Sequence, residues 1–278
     1  MAPITHWSGV DDLPINKPPA HAPHRSSDVP SDDDMGFNDP QNVLYVNMEG
    51  KDLSDPKLKP RLDELEQMCQ LTHQLATIHA GIQVKQRKEE GSLPTDDSDD
   101  SRWRRAQYRA RVVDTYFQDG VYPWLFSPSF NSVDKSIDVE RSKFHWELLA
   151  LMLAGIVVPR PLAASLEAIF KGIGDTISET NYTAERRTFW SLLQVYTYDE
   201  VRKDLRASFR NVTYTLDQEM YTVSRGKSSQ TTIRVRFHFS QNDFSFNETT
   251  WKSMKPTVER YIRDTGIGNI TNPPTVPV

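Results

Sequence analysis

The chain of 278 residues contains one cysteine, Cys69. A single thiol excludes an intramolecular disulfide and any multi-cysteine zinc site, so the fold must rest on burial alone. A basic excess is missing as well. The sequence has 33 Lys+Arg against 38 Asp+Glu, a net charge of −5. The simplest electrostatic footprint of a nucleic-acid binder is therefore absent, and nucleic acid is not an expected partner. Long apolar runs are lacking: the longest uncharged one, Leu148 to Val158, has 11 residues, well short of the ~20 of a spanning helix. The opening residues MAPITHWSGVDDLP offer neither the basic start nor the apolar segment of a secretory leader. A soluble protein is expected, either cytoplasmic or exported by a non-classical route.

Catalytic and cofactor signatures are missing too. The seven histidines (His6, His21, His24, His73, His79, His145 and His238) form no H-E-x-x-H pair and no legible His–carboxylate set. Gly172-Ile-Gly174 and Gly266-Ile-Gly268 do not link a strand to a helix as a phosphate loop must. No G-x-S-x-G elbow and no G-x-x-x-x-G-K-[ST] loop occurs. Neither metal nor cofactor is expected. Four N-x-[ST] sequons, at Asn181, Asn211, Asn247 and Asn269, carry little weight without a leader.

What the sequence does contain is unevenly spread. Hydrophobic residues make up 37% and aromatics 10%, and the shortage sits at the front. Nine of the 18 prolines fall in residues 1–60, beside Asp32, Asp33 and Asp34. Proline removes backbone donors and disfavours helix, and such a stretch offers too little apolar surface to offset its chain entropy. Residues 1–40 read as a disordered Pro/Asp-rich arm, either a solvated tail or a tether that docks a partner. Asn42–Asn47 reads as a strand or a docked segment.

Residues 41–200 read as mainly helical. From Lys59, Leu62, Leu65, Cys69, Thr72 and Ala76 form one stripe, with Leu71, Leu75, Ile78 and Ile82 beside it. This is a helix of nearly 30 residues with a wide apolar face, ended by Gly91 and Pro94. A second helix follows the acidic run Asp96–Asp100, carrying Trp103, Ala106, Ala110, Val113 and Phe117, with Arg102, Arg105 and Arg109 on its other face. A third is expected from about Asp138 to Ile156. After Pro159-Arg-Pro161 come a fourth, through Leu162, Leu166, Ile169, Phe170 and Ile173, and a segment of helical or strand type through Phe189 and Tyr196.

Residues 201–278 change to a period of two. Val212, Tyr214 and Leu216 alternate with polar residues, as do Ile233, Val235, Phe237 and Phe239. These are antiparallel strands with one wet face. Hairpin loops are expected at Arg225-Gly-Lys-Ser-Ser and Ser240-Gln-Asn-Asp. Trp251, Met254, Val258, Tyr261 and Ile262 mark a closing helix. The fold class is thus α+β: a helical N-terminal half packed with an antiparallel sheet and a C-terminal helix.

Three features invite a functional reading. The apolar block from Trp146 to Ile173 (Trp146, Leu148, Leu151, Met152, Ile156, Leu162, Leu166, Ile169, Phe170) is either a core hairpin or a segment that enters a bilayer or oligomer interface. Arg206, Arg210, Arg225, Lys227, Arg234 and Arg236 make the β half basic; they suit either a solvated face or an anionic surface, whether a membrane or the protein's own acidic arm. Cys69 and His73, four apart on a helix, are a buried pair, a reactive thiol or a lipidation site. The leading expectation is a non-enzymatic, effector- or toxin-like protein that binds or oligomerises at a membrane. The alternatives are an adaptor whose acidic arm docks a protein partner, and an enzyme with a dispersed site.

Overall fold

The computed structural model describes residues 7, 9–23, 29–36, 42–45, 56–128, 133–140, 143–156, 187–225 and 230–265. In chain order these give α1 (Asp32–Met35), β1 (Asn42–Tyr45), α2 (Leu58–Glu89), α3 (Asp99–Gln118), β2 (Leu125–Phe126), β3 (Val133–Glu140), α4 (Phe144–Met152), β4 (Arg187–Asp199), β5 (Asp204–Arg225), β6 (Gln230–Phe246) and α5 (Glu248–Asp264). The α+β class stands: helices lead, an antiparallel β4–β5–β6 sheet follows, and a helix closes the chain.

Capping explains where several helices start. At α3, Ser98 Oγ accepts from Ser101 N, and Asp96 accepts from Ser98 N and Ser101 Oγ. At α5, Asn247 Oδ1 accepts from Thr250 N at 3.1 Å. Both satisfy donors that a helix start leaves open. Helix α2 ends where Gly91 takes φ +74°, a left-handed conformation that glycine adopts without strain.

The sheet runs β1-β4-β5-β6-β2, with β3 also paired to β6. Strand β1 is parallel to β4; the remaining ladders are antiparallel. One face meets α2, α3 and α5. Leu205, Ala207 and Phe209 join Phe117, Trp124 and Trp251 in the main core. Phe117 stacks on Phe209 at 5.6 Å and meets Phe244 edge-on at 5.4 Å. Further along β4 and β5 this interface turns polar. Gln107 donates to Thr188 O, Thr188 bonds Thr215, and Asn211 donates to Asp114, all buried. On the other face, Leu193, Val212 and Tyr214 are buried beside Arg210.

Several expectations change here. The described part of residues 1–40 is not outside the core: Trp7, Val10 and Met35 are at most 4% exposed and belong to it. The segment makes almost no secondary structure of its own. Its carbonyls are taken by the helices instead. Tyr108 donates to Pro14 O and Tyr116 to Asn16 O, each at 2.6 Å, and Arg111 donates to Val10 O and Leu13 O. Residue 200 does not divide helix from sheet either, because β1 to β4 all precede it. The third helix begins at Phe144 rather than Asp138. Val133, Ile137 and Val139 alternate with polar residues and pair with β6, so the period of two prevails there. Ser240–Asp243 is no hairpin loop; it lies inside β6, paired to β5. Arg225 and Gln230 face each other at the β5–β6 turn, as expected. The fourth helix lies outside the described residues.

Candidate functional site

The apolar helix α4 and the basic residues of the β half, two separate features in the sequence, meet at one place. Arg210 stands on β5 opposite Asp243 of β6. Its Nε and Nη2 donate to the two carboxylate oxygens of Asp243 at 2.8 and 2.9 Å. Its Nη1 donates to Met152 O at 2.9 Å and Ala154 O at 2.7 Å. Those carbonyls belong to the last turn of α4 and the turn after it, where helix geometry leaves acceptors open and favours a cation. One guanidinium therefore fastens the carbonyl end of α4 to the sheet. The fork geometry of arginine suits this double task.

The helix itself, FHWELLALM, has one charged residue, Glu147. Leu148, Leu149 and Met152 are buried. Trp146 is 49% exposed. Leu151 and Ile156 are half-buried, and Ala150 and Gly155 are exposed. The apolar residues thus point both to the protein and to solvent. Leu162, Leu166, Ile169 and Phe170, the rest of the expected hairpin, lie outside the described residues. Among the described residues no helix is long and apolar enough to cross a membrane.

The basic residues named for the β half stand at different places on the strands. Arg210 is 8% exposed and is the latch just described. Arg206 reaches solvent but pairs with Asp199 at 3.2 Å. Arg234 stands in register with Glu140, and Arg236 between Asp138 and Asp217. Arg225 ends β5, and Lys227 is outside the described residues. Acidic residues thus stand in register with Arg234 and Arg236, which the sequence could not show because these partners lie up to about a hundred positions away.

Cys69 and His73 form no activated pair. Cys69 is fully buried on α2. Burial raises its thiol far above the ordinary range, although Tyr196 bonds to it. Burial also holds the His73 imidazole down to about 4. At neutral pH both groups are uncharged, whereas a reactive thiolate needs a neighbouring cation.

Two features were missed by sequence reasoning. Met35, His73, Trp103, Arg109, Phe189 and Trp190 help to line a cavity between α2, α3 and β4, with about 560 Å³ of empty space, part of it open to solvent. Asp114 of α3 is the other. Burial lifts its carboxyl to about 6, despite the bonds from Gln118 and Asn211 that oppose the rise. Among the described residues no group of His, Cys, Asp and Glu is arranged to hold a metal ion.

No protein-family model and no curated protein matches the sequence. Solved structures show distant likenesses of chain arrangement. The Evf virulence factor aligns over 90% of this chain and 85% of its own, at 11% identity and a TM-score of 0.49. A delta-endotoxin aligns over 85% and 91%, at 12% identity and 0.34. The activated Cyt2Ba monomer from Bacillus thuringiensis subsp. israelensis aligns over 74% and 97%, at 10% identity and 0.32.

Proposed function

We propose that the protein acts on membranes in a toxin- or effector-like manner, with α4 as the element that touches the bilayer. The observation that carries this reading is α4 itself: a nearly uncharged helix with Trp146 half-exposed and three apolar side chains buried, its carbonyl end fastened to the sheet by one arginine latch. Tryptophan favours the boundary between headgroups and acyl chains. A helix of nine residues cannot span, but it can lie in that boundary with its apolar side chains buried ~5–10 Å deep. The Arg210–Asp243 pair sets the resting position, and the exposed tryptophan makes first contact.

Co-sedimentation with phosphatidylcholine vesicles, with and without phosphatidylglycerol, tests this. The wild-type protein is expected to pellet with at least one of the two compositions, with a blue shift of tryptophan emission. Trp7, Trp124, Trp190 and Trp251 are at most 8% exposed and Trp103 is half-buried, so the part of the aqueous quenching that W146S removes reports on Trp146. W146S should weaken partition by about tenfold or more, the scale of removing one large apolar side chain from lipid. Failure of both compositions to pellet the protein at pH 7 and pH 5 would overturn the reading.

A further inference from the structure

Three large apolar side chains stand exposed among the described residues: Trp146 at 49%, Phe126 at 52% and Val201 at 93%. Trp146 lies in the first turn of α4. Phe126 ends β2, and the register of the sheet decides which way it faces.

Strand β2 pairs with the end of β6, Leu125 opposite Phe246 and Phe126 opposite Ser245. Successive side chains of a strand point to opposite faces of the sheet. Leu125 is buried in the main core, and Phe246 packs against that core. Phe126 therefore points to the other face, the one that carries α4. Its partner gives the same answer. Ser245 and Asp243 are two apart on β6 and so share a face. Asp243 holds Arg210, whose Nη1 donates to Met152 O and Ala154 O. Phe126 thus stands one side-chain row past the latch, beyond the carbonyl end of α4, and Trp146 stands near the opposite end of that helix.

The backbone under Phe126 is held from the core side. Trp124 is buried, its indole donates to Thr72 Oγ1 at 3.0 Å, and its carbonyl accepts from Asn247 N at 2.8 Å. Val201 is placed differently. It occupies the β4–β5 turn, where Val201 N and Arg202 N donate to Asp199 Oδ1, at an end of the sheet rather than on a face.

We propose that the protein docks on a bilayer by the α4 face of the sheet, with Phe126 as a second anchor beside Trp146. This rests on the membrane reading of α4 and gives it an orientation. The surface suits lipid better than a second protein. Between the two aromatics stand exposed Ala150, Ala154 and Gly155 and half-buried Ser208 and Ser245, not the continuous apolar centre of a protein interface. Two rings held apart on one face can each enter the boundary between headgroups and acyl chains without sharing an apolar surface.

The test places an environment-sensitive dye on F126C, W146C or V201C in the full-length chain; the native thiol, Cys69, is buried. With phosphatidylcholine/phosphatidylglycerol vesicles, dyes at positions 126 and 146 should shift to the blue and the dye at 201 should keep its spectrum in water. A readout without dye comes from co-sedimentation. F126S should weaken partition about tenfold, as one large apolar side chain leaves the lipid, and F126S/W146S about a hundredfold, because separate sites add. A dye that stays in water at 126 while the one at 146 shifts would overturn the orientation and leave the α4 reading standing. So would F126S partitioning like the wild type, or a shift at 201 without one at 126, the mark of end-on docking. If F126S instead dissolved an oligomer seen by sedimentation equilibrium without lipid, and left vesicle binding intact, the face would be a protein interface and the proposal wrong. Wild-type protein that binds neither vesicle composition would remove the α4 reading and this orientation together.

Discussion

The two faces of the sheet are covered in different ways. Against α2, α3 and α5 the cover is aromatic and continuous: Phe117, Tyr122, Trp124, Phe209, Phe244 and Trp251 touch one another across four elements. On the α4 side the described residues show three buried aliphatic side chains, Leu148, Leu149 and Met152, and one guanidinium latch. A face sealed by many ring contacts loses stability only when the whole domain opens. A face fastened by one polar latch can open locally while the rest stays folded. The difference separates what holds the fold from what can move.

Mutations should sharpen that contrast. F209A empties a site at the centre of the aromatic face, where Phe209 is fully buried. It should cost about 3–5 kcal/mol in urea unfolding, a large share of the stability of an ordinary domain. R210Q should cost about 1.5–3 kcal/mol, the worth of hydrogen bonds to a charged group. Its signature is local: amide exchange in α4 should accelerate far more than exchange in α2. Equal acceleration in both helices would end the distinction between the faces.

The polar seam between α3 and the sheet gives a pH test of comparable size. The Asp114 carboxyl is raised to about 6 in the folded protein from an ordinary 3.8. The folded state therefore holds the extra proton in that window, and stability falls as pH rises from ~4 to ~6, by about 3 kcal/mol. His73 and His79 work in the opposite sense. Burial depresses each from 6.5 to about 4, so stability falls as pH drops from ~6.5 to ~4. Wild-type protein should show partial cancellation. D114N removes one limb, and its urea midpoint should then decline on acidification from pH 6 to pH 4 more steeply than that of the wild type. The smallest effect is expected on the surface. R206A breaks an exposed pair with Asp199 at 3.2 Å and should change stability by less than about 0.5 kcal/mol.

Much of the secondary structure is legible from spacing. The stripe that starts near Lys59 and the stop at Gly91 locate α2 to within a residue or two, and the Trp103–Phe117 spacing locates α3. The alternation around Val212 and Val235 marks β5 and β6, and the Trp251–Ile262 spacing marks α5. The less legible parts fail for physical reasons. Strand β3 was overlooked beside a stronger helical pattern, and its identity depends on pairing with a strand about a hundred residues away. The N-terminal segment has the composition of a disordered arm. Its order comes from tyrosine and arginine donors on α3 that find its free carbonyls.

The candidate site divides along the same line. The apolar character of α4 and the abundance of arginine in the β half are properties of the sequence. That Arg210 closes on Met152 O and Ala154 O, 58 and 56 positions away, is not. Likewise the acidic run at Asp32–Asp34 is plain in the sequence, but its seat on Lys88, Arg105 and Arg109 exists only once α2 and α3 are packed side by side. Helix and strand periods arise from neighbours two to four residues apart, so the chain by itself determines them. Which cation meets which carbonyl or carboxylate is decided by contacts across 50 to 80 residues, which only the tertiary structure brings within hydrogen-bonding distance.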